Sequence, residues 1–196
     1  MHMNRLLRAH RSVVAGCLLS VMALSVTGCP GGSSIVIFKD TNLEAAVRKD
    51  LGLPFGFITR AEMLGLEVLD ARARGIVDLT GLEFAENLVL LDLDTNAISD
   101  LIPLANLIQL ESLNLDSNEV FDLTPLAGLL QLSTLSLFDN QIADLSPLIT
   151  NAQNNGLGEG DVIVVDGATL DEIALQQANQ LVTEFNCNVV LVAPAG

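Results

Sequence analysis

Asn96, Asn118 and Asn140 stand at equal intervals along the chain, and the aliphatic residues around them keep the same step. Leu88, Leu110 and Leu132 share it, as do Leu91, Leu113 and Leu135, and Leu93, Leu115 and Leu137. Ile98, Val120 and Ile142 follow, then Asp100, Asp122 and Asp144, then Pro103, Pro125 and Pro147. A fixed period of this length means one small unit copied along the chain. Such a unit cannot bury its apolar face alone, and only stacked copies make a continuous core. The period therefore predicts a coil that offers a surface rather than a reaction pocket.

The spacing L-x-x-L-x-L-x-x-N-x-[IV] is that of a leucine-rich repeat. One period upstream, Leu66, Leu69, Ala71, Ile76, Asp78 and Leu79 fall on the same positions, with Arg74 in the asparagine slot. Downstream the register breaks at a polar, glycine-rich insertion, Asn151–Gly160, and resumes at Ile163, Val165 and Leu170, with Ala168 in the slot. This gives four full repeats over residues 66–153 (66–87, 88–109, 110–131, 132–153) and a degenerate fifth.

Each repeated position has a physical task. In Leu91-Asp92-Leu93 the leucines point one way and the aspartate the other, as a strand's period of two requires. The asparagine is expected to turn inward and bond main-chain groups of the bend. The aspartate column Asp78, Asp100, Asp122, Asp144 is read as bend-capping. Thr124-Pro125 and Ser146-Pro147 suggest a hydroxyl N-cap before a short helical turn on the convex side, a cap that Ile102-Pro103 lacks. The predicted architecture is an α/β solenoid. It is an arc with a parallel β-sheet on its concave face and short helical turns on its convex face, between a helical N-terminal cap and an αβ C-terminal cap.

Residues 1–28 read as an export signal. Arg5, Arg8 and Arg11 form a basic head, and the apolar stretch Val13–Val26 is too short to span a bilayer core of ~30 Å. Val26-Thr27-Gly28-Cys29 resembles a bacterial lipobox, with valine where leucine is preferred; the resemblance implies lipidation of Cys29 as the first mature residue. Ordinary signal cleavage beside an unmodified cysteine is the alternative. Residues 29–36 then serve as a flexible tether. The absence of an aspartate after the cysteine points, by resemblance to enterobacterial sorting, to the outer rather than the inner membrane of a bacterial envelope.

Cys17 leaves with the signal and Cys29 is claimed by lipid, so Cys187 remains alone and no disulfide is expected in the oxidising compartment. Signal removal also leaves 9 − 3 = 6 basic residues against 24 acids, a net charge of 6 − 24 = −18. Such a field repels nucleic acid and anionic lipid and favours cationic partners. Both histidines, His2 and His10, leave with the signal, and the chain has no tyrosine or tryptophan. The usual general base and the usual zinc ligand are thereby missing. No cofactor, metal site or catalytic residue is expected. Gly156-x-Gly158-x-Gly160 lacks a P-loop lysine, and Asp92-x-Asp94-x-Asn96 lacks the glycine and glutamate of a calcium loop.

Ahead of the repeats, residues 37–65 read as the N-terminal cap. Ile35, Ile37 and Phe38 suggest a short leading strand. Thr41 with Glu44, and Thr59 with Glu62, suggest two capping boxes, and Gly52 a helix stop. After them, residues 154–196 read as the fifth repeat and C-terminal cap: a strand at Val162–Val165, a helix begun by Asp166 or Thr169, and a last strand at Val189–Val192.

Phe38-Lys39-Asp40-Thr41-Asn42-Leu43-Glu44, Gly75-Ile76-Val77-Asp78-Leu79-Thr80-Gly81-Leu82-Glu83 and Asn140-Gln141-Ile142-Ala143-Asp144-Leu145-Ser146-Pro147-Leu148 together resemble the bacterial internalin-type leucine-rich repeat proteins. The resemblance spans about residues 37–150. It implies a helical cap, 22-residue repeats, 3₁₀ turns on the convex side and partner binding through variable concave residues.

Two concave columns follow from the register: Asp70, Asp92, Asn114, Ser136, Val164, and Arg72, Asp94, Asp116, Phe138, Asp166. Glu111 and Asp139 flank them. Asp70, Arg72, Asp92, Asp94, Glu111, Asn114, Asp116, Ser136 and Phe138 are the expected partner-binding residues, with Phe138 as the aromatic anchor. The expected function is non-enzymatic: a lipid-anchored envelope protein binding a protein or peptide, preferentially a basic one. The alternative is a structural spacer whose acids calcium shields, without a specific partner. Five strands give a face of about 400 Å², half of the roughly 800 Å² per partner in a standard interface.

Overall fold

A computed structural model describes residues 34–167 and 170–192 of the chain. Six strands form one sheet in chain order: β1 (Val68–Asp70), β2 (Leu90–Asp92), β3 (Ser112–Asn114), β4 (Thr134–Leu137), β5 (Val162–Asp166) and β6 (Asn188–Val192). Every neighbouring pair is parallel. The return path from each of the first four strands passes through a helical turn. Three of these turns are 3₁₀ (Leu82–Phe84, Ile102–Leu104, Thr124–Leu126), and the fourth is the α-helix Ser146–Gln153. This is the leucine-rich repeat arc that the period predicts.

The pairing register follows the periodic reading residue by residue. Leu69, Leu91, Leu113, Leu135 and Ile163 are successive partners, and all are buried. Their outward neighbours Asp70, Asp92, Asn114, Ser136 and Val164 make the matching row on the opposite face. Behind the sheet, Leu104, Leu126 and Leu148 are buried on the side of the helical turns. The core is one continuous aliphatic ridge.

The asparagines bind one coil to the next. Asn118 accepts from the Ile98 N–H at 3.0 Å and donates to the Leu93 and Leu115 oxygens, both at 3.0 Å. Asn140 repeats this with Val120, Leu115 and Leu137. Asn96 accepts from the N–H groups of both Arg74 and Ile76, so the first coil is served from above. Arg74 has no such amide of its own, and its Nε is the buried side-chain nitrogen left without a partner among the described residues. Just before the slot, each coil turns through a left-handed residue: Ala73, Thr95, Ser117 and Asp139, at φ 51°, 58°, 52° and 55°.

The aspartate column caps the bends as expected, whereas the hydroxyls do not cap the helical turns. Neither Thr124 nor Ser146 supplies a side-chain cap to its own helical turn. The aspartate two residues earlier does so. Asp78, Asp100, Asp122 and Asp144 accept from the N–H groups of Thr80, Ile102, Thr124 and Ser146, each at 2.8 Å. The turn at Ile102 is therefore capped like the others. A carboxylate two positions back closes an Asx-turn that a hydroxyl at the turn's first residue cannot reach.

Upstream of the sheet lie α1 (Thr41–Leu51) and α2 (Arg60–Met63). The N-cap of α1 is Asp40 rather than Thr41: its Oδ1 accepts from the N–H groups of Asn42 and Leu43. Its Oδ2 reaches the Val77 N–H at 2.8 Å, so one carboxylate holds both the helix start and the first coil's bend. Glu44, released from capping, pairs with Arg48 at 2.7 Å. The box at Thr59 and Glu62 forms as expected, and Gly52 ends α1 in the left-handed region. The leading strand reduces to a single antiparallel bridge, Ile35 with Thr59.

At the far end the fourth helical turn lengthens into α3 (Ser146–Gln153). The coil from β4 to β5 is longer than its predecessor: Thr134 pairs with Val162, whereas Ser112 pairs with Thr134. Asn151, read from sequence as the start of a polar insertion, is fully buried. It donates to the Leu126 and Leu129 oxygens at 3.2 and 3.0 Å and accepts from the Leu157 N–H at 2.7 Å. Helix α4 (Glu172–Phe185) is capped by Asp171, not Asp166, and leads to β6. Gln177 on α4 accepts from the Leu145 N–H and donates to Asp144, tying the helix to the coil above. Ala168 and Thr169 lie outside the described residues.

Candidate functional site

The concave face is built by strand alternation. Between the buried leucines, each strand projects its even-numbered residues outward, and parallel register stacks them into rows. The row Asp70, Asp92, Asn114, Ser136, Val164 gains a sixth member that the sequence reading omitted, Val190 on β6. Six strands widen the face to roughly 500 Å². Composition marked the strand at Val189–Val192, but period could not place it in the row, because the step from Val162 to its partner Asn188 is longer than the repeat.

Charge is unevenly placed on the face. Arg72 lies at the N-terminal end, where its Nε and Nη2 each donate to Asp70 at 3.0 Å, and Nε also stands 3.4 Å from Asp92. Asp70 is held below the ordinary carboxylate range, chiefly by the Arg72 hydrogen bond. Asp92 is pushed the other way. Its burial outweighs the Asp94 N–H and the Arg72 charge, so its carboxyl lies above the ordinary range. One cation thus serves two acids directly and Asp94 through its field.

Toward the middle the acids divide by task. Asp94 accepts from its own bend, through the Thr95 hydroxyl at 2.8 Å. Glu111 is exposed on the loop before β3, and Asn114 accepts from the Asp116 N–H. Asp116 is committed further: its Oδ1 accepts the Ser136 hydroxyl at 2.6 Å and the Phe138 N–H at 2.8 Å. It positions the aromatic residue as well as contributing charge. Phe138 is half-buried, an anchor only over part of its ring. Among the described residues, no group of three or more His, Cys, Asp or Glu is placed to hold a metal ion.

Cys187 is buried beneath β6, and burial raises its thiol above the usual value. No helix among the described residues is long and apolar enough to cross a membrane. Cys29, the signal residues 1–28 and the start of the tether lie outside the described residues.

No protein-family model matches the chain, and no curated protein matches it. Solved structures do. An internalin, InlF, from Listeria monocytogenes superposes with a TM-score of 0.62 at 25% identity, over 73% of this chain and 47% of that one. The functional domain of InlJ from the same organism gives 0.54 at 19% identity, over 68% of this chain and 37% of that one. The chain therefore spans about half the length of the first and less of the second.

Proposed function

We propose, from the premise that this chain is an internalin-type leucine-rich repeat protein, that it is a non-enzymatic envelope lipoprotein that binds a protein or peptide through its concave face. The proposed organisation is a signal at 1–28, a tether at 29–36 with Cys29 lipidated and its last three residues paired onto the cap, and an N-terminal cap at 37–65. Four repeats follow at 66–153, then a degenerate repeat and C-terminal cap at 154–196. The partner presents basic groups. Envelope placement favours the outer membrane.

One observation carries the reading. The arginine on the face bonds Asp70 and stands 3.4 Å from Asp92, so Asp94 and Asp116 are an acidic row whose members, like Glu111 at the opposite end of β3, make no ion pair of their own among the described residues. Phe138 lies beside that row, supported through its main chain by Asp116. An uncompensated acidic strip next to an aromatic ring selects an extended basic segment.

Cross-linking in intact envelopes, followed by mass spectrometry, tests this. The expected result is one reproducible partner that disappears when Asp94 and Glu111 become alanine. Recovery of no partner, or the same partners from the variant, removes the proposal. A spacer shielded by calcium instead predicts a large rise in melting temperature on calcium titration, with no partner recovered.

A further inference from the structure

The least explained surface lies at the opposite end from β6. Val36 donates to the Ile58 oxygen and Arg60 to the Ser34 oxygen, so residues 34–36 run antiparallel to 58–60. Alternation buries Val36 and Ile58 and turns Ile35, Ile37 and Phe57 outward. These three are 50%, 75% and 75% exposed, and Phe55 on the adjoining loop is 89% exposed. Large apolar side chains exposed this close together in the chain mark a contact.

The loop is held rather than loose. Arg48 donates through Nη1 to the Leu53 oxygen at 3.2 Å and through Nη2 to the Gly56 oxygen at 2.9 Å, while Glu44 fixes its Nε at 2.9 Å. Two phenylalanines are thus presented to water on a braced turn. The segments that form the patch also escape the chain's charge. Residues 29–39 and 51–60 contain no aspartate or glutamate, yet include Lys39 and Arg60, in a chain with 24 acids.

We infer that Ile35, Ile37, Phe55 and Phe57 rest in the interfacial layer of the bilayer that holds the lipidated Cys29. The inference depends on the lipid anchor proposed above. Six peptide steps separate Cys29 from Ile35, at most about 20 Å of extended chain. The patch therefore cannot leave the neighbourhood of the acyl chains. Apolar area is what binding at such an interface requires, and the carboxylates of Glu44 and Glu62 beside it are spent on Arg48 and Thr59. The acidic concave face is then held at a set attitude to the membrane instead of tumbling on its tether.

The chain has no tryptophan, so a single indole reports its own site. The lipid-modified full chain carrying Phe57→Trp is reconstituted in phosphatidylcholine vesicles with brominated acyl chains, beside a control carrying Phe121→Trp. Phe121 is also exposed but lies on the third coil. Expected is at least twofold stronger bromine quenching, with blue-shifted emission, for the indole at 57; Phe55→Trp repeats the measurement should the first variant misfold. Equal quenching at both sites, with labelled palmitate incorporated and lost in Cys29→Ser, overturns the docking and leaves the anchor standing. No palmitate incorporation overturns both. An indole at 57 shielded from aqueous quencher but untouched by bromine means that protein covers the patch, and the bilayer is not its occupant.

Discussion

The side-chain amide of Asn118 donates to the main-chain oxygen of Leu93, 25 positions earlier and one coil away, at 3.0 Å. Its other bonds stay within hydrogen-bond reach of its own coil and of Ile98. Replacement by alanine strands the buried Ile98 N–H, while the Leu93 and Leu115 oxygens keep their bonds from Asn96 and Asn140. An unsatisfied buried group costs about 1–3 kcal/mol, so Asn118→Ala is expected to lose at least about 1 kcal/mol in urea unfolding. A loss below about 0.5 kcal/mol, the range of an ordinary surface change, contradicts the stapling role.

Asp40 supports two elements, the start of α1 and the bend at Val77. Loss of an N-cap alone costs about 1 kcal/mol. Asp40→Ala is therefore expected to exceed Thr41→Ala clearly in the same assay, reversing the order expected from a capping box at Thr41. Equal effects would return the cap to Thr41.

Gly156 has no room for a side chain, since an added Cβ would overlap the Asn151 amide. Gly128 has open space around it and an ordinary backbone. Gly156→Ala should destabilise by about 1–3 kcal/mol, the cost of overpacking, while Gly128→Ala stays within about 0.5 kcal/mol. Chemical denaturation of the pair checks this directly.

The pH response should carry two opposite signs. Asp144 is held below the ordinary range, first by the Ser146 N–H and then by its hydroxyl. It stabilises the fold at neutral pH, and this is lost as pH falls through its depressed folded value. Asp144→Asn should thus lower the neutral melting temperature and converge with wild type in acid. Asp92 is raised by burial, so its ionised form opposes folding at neutral pH and its protonation relieves that on acidification. Asp92→Asn should raise the neutral melting temperature by less than about 4 °C, the shift that 1 kcal/mol gives a chain of this size. The carboxyl is partly exposed, and solvent screening trims the effect. Thermal melts across the acid range read both slopes.

Thr95 holds a left-handed backbone at φ 58°, an uncomfortable place for a β-branched residue. Thr95→Asn keeps a polar side chain and removes the branch, and should stabilise by roughly 0.5–1 kcal/mol in urea unfolding.

The sequence made the sheet legible because the same residue types recur at the same step. Leu91, Leu113 and Leu135, and the aspartates between them, could be placed from periodicity alone. Features set by a partner distant in sequence were not legible. Asp40 and Thr41 are both good N-caps, and the choice falls to Asp40, whose second oxygen meets Val77 across the fold. Asn151 looks like loop composition until α3 and the Leu126 and Leu129 carbonyls surround it. Of the candidate face, the rows were readable but not their internal pairing. Nothing in the spacing says that Asp116 would be spent on Ser136 and Phe138.

The added length of the fourth coil enters behind the sheet, while Thr134 still meets Val162 and Leu135 still meets Ile163. Extra chain is thus absorbed by the spine and never reaches the reading side. Length at the outer rim can thus change without moving a displayed letter, and two coils of unequal length carry one message side by side.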